Sequence, residues 1–280
     1  GEALTRPDLF ALAAHARSEG LVPNLTISGL GLTTELVRSL AAFGQVNVSL
    51  DGVGPRYAVH RGRELFAAAD RGLRLLAAAG ISTGINCVLG KENFADLPEL
   101  FRYAGALGLQ EIEVLRYKPA GRGGQGYRQA RCTPEQHLRL VPLLQELSAR
   151  HGVAAKIDCS LVPMLCAHGP PPELLEALAT YGCEAGNVLL GVRSNGQICG
   201  CSFLPAVPGL HVHQLGHGFT ADGHLDRLRR WYRHAPEPCA SCEYLRICKG
   251  GCRAVALHTT GSLDRPDPEC PRVAAHRPNG

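Results

Sequence analysis

Apolar positions in the first 130 residues fall into short blocks that alternate between two periods. Blocks with helical spacing are predicted from Pro7 to about Ser18, from a Thr33 cap to Phe43, from about Arg63 to Ala79 and from Ala95 to Leu107. Pro7 suits a first helical turn, and Gly20, Gly80 and Gly108 follow three of these helices as stops. Between them lie short β-branched or apolar runs read as strands: Leu21 to Ile27, Val46 to Leu50, Ser82 to Val88 and Glu111 to Arg116. The last of these enters the loop Pro119-Ala120-Gly121-Arg122-Gly123-Gly124.

Strands separated by helices of roughly 10 to 17 residues predict right-handed βαβ units and a parallel sheet, closed or open as a barrel. Active groups then belong at the C-terminal ends of the strands. A long helix is predicted from Pro134 to about His151, and the proline-rich stretch Cys159 to Pro172 reads as a connector. After Cys183 the elements shorten, and Ser194-Asn195-Gly196 predicts a hairpin turn between Val188–Arg193 and Gln197–Gly200. The expected division is a partial barrel over 1–128, a helical linker over 129–181 and a small cysteine-rich domain over 182–280.

Composition narrows the class. A hydrophobic share of 45% supports a buried core, and a charged share of 19% argues against global disorder. The net charge of +4, from 29 basic and 25 acidic residues spread evenly, does not suggest nucleic-acid binding. No apolar run approaches the ~18 residues of a membrane span, and no secretory signal is visible, so a cytoplasmic protein is expected.

Cysteine changes the picture most. Eight of the twelve follow residue 182, with the spacings Cys183-x12-Gly196-x4-Cys201 and Cys239-x2-Cys242-x5-Cys248-x3-Cys252, then Cys270. The central block alone arises by chance in about one such sequence in a thousand, so the spacing is informative. Closely spaced thiolates converge on an inorganic core without a large scaffold. A structural zinc site shares the Cys-x2-Cys spacing and remains an alternative, as do disulfides. Cys87, Cys132 and Cys159 read as buried, inert thiols.

The full spacing resembles the SPASM domain, the auxiliary-cluster module at the C-terminus of many radical S-adenosylmethionine (SAM) enzymes. The resemblance implies an α/β fold: a partial (β/α)6 TIM-like radical SAM barrel followed by the SPASM domain. It assigns Cys183, Cys201 and Cys252 to a first auxiliary 4Fe-4S cluster and Cys239, Cys242, Cys248 and Cys270 to a second. The first would have an open iron or an extra ligand. Cys199 stands two residues before Cys201 and is a candidate for that place, or else a packed free thiol.

The barrel half carries matching segments. Gly1-Glu2 resembles the end of the Gly-Gly-Glu motif that meets the SAM amino group, and a carboxylate suits an ammonium. Val48-Ser49-Leu50-Asp51-Gly52 resembles the family's Ser-x-Asp-Gly, with Ser49 contacting SAM and Asp51 shaping the loop. Arg61-Gly62 resembles the Arg-Gly that follows, and Arg61 would pair the SAM carboxylate. Leu115 and the glycine loop after it would lie near the adenine. As turns and helix starts, all these segments also have purely structural readings. Where the family often has Thr-Asn-Gly, this chain has Ile27-Ser28-Gly29.

The resemblance also implies a catalytic cluster on Cys-x3-Cys-x2-Cys upstream of Gly-Gly-Glu. The chain has no such triplet and opens on glycine, so the expectation is a truncated barrel whose third cluster lies in the missing segment, leaving this chain alone inactive. The implied activity is generation of a 5′-deoxyadenosyl radical to modify a substrate, foremost a ribosomally made peptide, with a flavodoxin- or ferredoxin-type electron donor. Cys248-Lys249-Gly250-Gly251-Cys252-Arg253 and Asp267-Pro268-x-Cys270 resemble maturases of the pyrroloquinoline-quinone type and radical SAM proteins of heme modification. Sulfatase maturation fits less well, because Ser202 follows Cys201 where those enzymes tend to carry aspartate. The alternatives are therefore heme or other cofactor biosynthesis, and a non-catalytic electron-transfer or peptide-binding module.

Overall fold

The structure, a computed structural model, describes residues 2–217 and 223–276. It divides into two compact units, one of residues 1–115 and 142–156 and the other of 116–141 and 157–280. The stretch expected as a linker, 129–181, is thus shared between them.

The first unit is built on a parallel sheet of order β1-β2-β3-β4-β5. Its strands are β1 (Asn24–Ile27), β2 (Gln45–Ser49), β3 (Thr83–Leu89), β4 (Glu111–Arg116) and β5 (Ala154–Ile157), the last residues of β4 and β5 belonging to the second unit. Helix α1 (Leu9–Ser18) precedes β1, and between the strands run α2 (Thr34–Leu40), α3 (Pro55–Arg61), α4 (Phe66–Ala78) and α5 (Leu97–Ala106). Thr33 caps α2 by accepting from the Leu36 N–H at 3.2 Å. The chain continues through α6 (Tyr127–Ala130) and α7 (Pro134–His151), and passes between the units at Pro142 inside α7.

The two faces of this sheet differ. Leu25, Ile27, Val46, Val48, Ile85, Ile112 and Val114 are buried on one face, with the helices of the βαβ connections. The other face is polar. Asn47 Nδ2 donates to Asn86 Oδ1 at 2.8 Å, and Asn86 Nδ2 to Thr26 Oγ1 at 3.3 Å. Gln45 donates to Glu111, which also pairs with Lys156 at 2.5 Å. Gly84 makes this crowding possible, since a Cβ there would lie 2.8 Å from Asn47 Oδ1 and 2.9 Å from Glu111 Cγ. Asn47 Oδ1 is buried without a partner, so this face has unspent hydrogen-bonding capacity.

The second unit holds α8 (Val162–Cys166), α9 (Pro172–Ala177) and an antiparallel sheet of β6 (Gly191–Val192), β7 (Gln197–Cys199) and β8 (Ala206–His211) in that order. The predicted hairpin is there, with Gly191 opposite Cys199 and Val192 opposite Ile198. Four short helices follow: α10 (Gly223–Arg229), α11 (Leu245–Cys248), α12 (Arg253–Thr260) and α13 (Pro271–Ala275). Among the described residues no helix is long and apolar enough to cross a membrane.

Candidate functional site

The loops at the C-terminal ends of β1 to β3 bring together most of the residues expected at SAM. Glu2 accepts from the Ser28 N–H at 2.9 Å, fixing its carboxylate at the end of β1. Ser49 ends β2, in register with Asn86 of β3. Asp51 takes two partners: Val88 N–H at 2.8 Å on Oδ1 and Arg61 Nε at 2.7 Å on Oδ2. Asn93 fastens the same loop, donating to the carbonyls of Asp51 at 3.2 Å and Val88 at 2.9 Å. Burial lifts the Asp51 carboxyl above its ordinary range, with Arg61 opposing. The sequence pattern did not foresee that Asp51 and Arg61 pair with each other. Leu115 lies on β4, half-buried, and Gly1 lies outside the described residues.

In the second unit, Cys239, Cys242, Cys248 and Cys270 line one cavity, together with Pro163, Cys166, Tyr244, Leu245 and Gly250. They come from a turn, α11 and the start of α13, so the spacing is what lets separate short elements turn their thiols to one space. Cys166, which no spacing singled out, packs with Cys248 in one buried cluster and lifts the Cys248 thiol by hydrogen bonding, with burial adding to it.

Cys183, Cys201 and Cys252 gather elsewhere, around a core of Tyr127, Ala185, Leu204, Ala254 and Val255. Cys199 does not join them: its thiol is buried and donates to the Gly191 carbonyl at 3.3 Å. Cys159 lies in the same unit, and burial lifts its thiol to about 12, with Asp158 and Cys183 adding to it.

Burial pushes the Cys239 and Cys252 thiols up to about 12 and Cys270 to about 11. Such thiols are protonated at neutral pH and bind metal only as thiolates, so loading releases protons. Among the described residues no three His, Cys, Asp or Glu side chains are arranged to hold a single metal ion. The second set borders one cavity. Thiols around a shared space fit a polynuclear iron–sulfur group.

A buried ion network braces these thiols. Arg116 pairs with Asp267 at 2.6 Å and Glu269 at 2.8 Å, and donates to the Ser160 carbonyl at 3.0 Å. Asp267 also accepts from the Cys252 N–H at 3.0 Å. Burial opposes both charges, yet Asp267 raises the Arg116 pKa, and Arg116 holds the Asp267 carboxyl below its ordinary range. Glu269 further binds Tyr127 Oη at 2.9 Å and Arg131. Gly251, at φ +78°, faces Asp267 so closely that a Cβ would fall 2.4 Å from its Cβ. Arg253 is buried against Trp231, 4.1 Å from the ring centroid, and donates to the Leu263, Arg265 and Gly250 carbonyls. None of these partners could be paired from spacing.

No family model matches the chain. It is 28% identical over 289 residues to the AdoMet-dependent heme synthase of Methanosarcina barkeri, covering 96% of this chain and 80% of that protein. To the mycofactocin maturase MftC of Mycobacterium ulcerans it is 30% identical over 284 residues, covering 96% and 73%. To the PqqA peptide cyclase of Ruegeria pomeroyi it is 28% identical over 293 residues, covering 99% and 74%. The crystal structure of Streptococcus suis SuiB bound to S-adenosylmethionine matches with a TM-score of 0.73 at 18% identity, over 96% of this chain. The chain spans 64% of SuiB, and the likeness establishes the fold.

Proposed function

The chain belongs to the radical SAM enzymes with a SPASM auxiliary-cluster domain, and on that premise we propose that it serves to modify a ribosomally made peptide. The observation that carries the reading is the gathering of Cys239, Cys242, Cys248 and Cys270 on one cavity, apart from Cys183, Cys201 and Cys252. In this reading those two sets hold two auxiliary 4Fe-4S clusters. Glu2, Ser49, Asp51, Arg61 and Leu115 hold SAM, with Gly1 beside Glu2. When bound, SAM and a reduced catalytic cluster supply a 5′-deoxyadenosyl radical for hydrogen abstraction.

The chain's own residues position and shield. Glu2 would offer its carboxylate to the SAM amino group, and Arg61, which Asp51 holds by Nε, would pair the SAM carboxylate. The polar sheet face, built from Thr26, Asn47, Asn86 and Glu111, is chemically suited to a polar guest. Asp51→Asn weakens the grip on Arg61, so SAM affinity is expected to fall about tenfold by titration calorimetry, the scale of one charged hydrogen bond.

The peptide class is supported by relatives whose names carry it, including the PqqA peptide cyclase, and by SuiB, solved bound to its precursor peptide SuiA. A flavodoxin- or ferredoxin-type protein is the proposed electron donor. The heme synthase relative favours a second reading, a tetrapyrrole substrate. The test incubates the product of the whole reading frame with SAM, reductant and the short peptides encoded beside its gene. Formation of 5′-deoxyadenosine with a mass change in one peptide is expected. 5′-Deoxyadenosine with unchanged peptides and a consumed porphyrin would select the second reading.

A further inference from the structure

Three thiols, Cys183, Cys201 and Cys252, leave one iron of a four-iron cluster without a protein ligand. Cys159 lies in the same unit, and its chain neighbours tie it to the surroundings of two of these thiols. It opens a 3-10 turn, Cys159–Leu161, capped by Asp158, which accepts from the Ser160 N–H at 3.2 Å and the Ser160 hydroxyl at 2.6 Å.

Both neighbours of Cys159 are clamped, and each clamp leads to another thiol of this set. Before it, Asp158 pairs with the buried Lys118. The Lys118 ammonium lies 4.6 Å from the ring centroid of Phe203, two residues past Cys201. After it, the Ser160 carbonyl accepts from Arg116 at 3.0 Å. The same guanidinium grips Asp267 at 2.6 Å, and Asp267 accepts from the Cys252 N–H at 3.0 Å. Cys199, the other candidate, is spent on the Gly191 carbonyl.

We propose that Cys159 is the fourth thiolate of the first auxiliary cluster. The set Cys159, Cys183, Cys201 and Cys252 then occupies every iron, and none remains for substrate. A fully ligated cluster carries electrons and does not coordinate the substrate. The Lys118–Asp158 and Arg116–Asp267 pairs act as positioning residues that seat the turn. The proposal rests on the two-cluster reading above.

The test uses the 280-residue chain reconstituted anaerobically with iron and sulfide. Electron paramagnetic resonance of the reduced chain is recorded with and without cyanide, a small ligand for an open iron. The unsubstituted chain is expected to be insensitive to cyanide. Cys159→Ala is expected to lose about one iron per chain, or to become cyanide-sensitive, as an opened corner of the cluster demands. Cys199→Ala should match the unsubstituted chain. A cyanide response in the unsubstituted chain, or unchanged iron and spectra in Cys159→Ala, overturns the assignment. If Cys159→Ala does not fold, the cyanide experiment on the unsubstituted chain still decides. Absence of sulfide from the unsubstituted chain overturns the two-cluster reading itself, a result distinct from either.

Discussion

Arg116→Met is expected to destabilise the protein by about 3–5 kcal/mol, the cost of removing one partner from a buried ion network. The side chains of Arg116 and Asp267 are 3% and 0% exposed, so no water replaces the lost guanidinium. Asp267 would keep the Cys252 and Glu269 N–H donors but lose the Arg116 cation, and Ser160 would lose its donor. Glu269 would retain Arg131 and Tyr127. Thermal unfolding of the cluster-loaded protein should show a midpoint lower by roughly 6–20 °C at about 2–4 °C per kcal/mol. Adding Asp267→Asn to Arg116→Met should recover part of the loss, because the unpaired charge is then gone. A midpoint within a degree of the unsubstituted protein would show that the network braces nothing.

Cys248→Ala is expected to remove the second cluster, about four irons and four sulfides per chain. Cys248 ends α11 and lies in the cavity wall with Cys239, Cys242 and Cys270, so its loss leaves a gap and three thiols of the motif spacing. Because metal binding and folding share one free energy, the short elements around the cavity should also loosen. Cys166→Ala is the control. Its thiol lines the same cavity but lies outside the motif spacing, so its iron content should stay at the unsubstituted level while the spectrum of the second cluster shifts. Equal iron loss in both variants would mean that Cys166 is a ligand. Metal and sulfide analysis of the two proteins separates these outcomes.

The parallel half was legible because buried strands and amphipathic helices leave distinct periods. Glu111–Arg116 and Pro134–His151 have the bounds that the pattern predicts, and the other predicted helices and strands shift by a few residues. What escaped was short or masked by turn residues. β5 reads Ala-Ala-Lys-Ile, four residues with no apolar run, and is held by the Gln110 carbonyl and Glu111. α3 hides behind Gly52, Gly54 and Pro55, which read as a loop until proline takes the first helical turn. α8 lies within the stretch read as a connector, for the same reason at Pro163.

The site divides in the same way. Cysteine spacing is local, and it named the seven thiols that the second unit gathers in two groups. Arg116 and Asp267 stand 151 positions apart, and nothing in either neighbourhood announces the pair. Cys159 has no motif around it. Only the fold links its turn, through Arg116 and Asp267, to Cys252. Asp51 and Arg61 were each legible from the loop segment, but not as partners, because α3 was not foreseen to bring Arg61 back over the strand end.

The central claim, that these thiols hold two iron–sulfur clusters, is tested most directly by iron and acid-labile sulfide per chain after anaerobic reconstitution. About eight of each, with a broad absorbance near 400 nm that bleaches on reduction, is the predicted result. About two zinc ions, no sulfide and no such absorbance would contradict it.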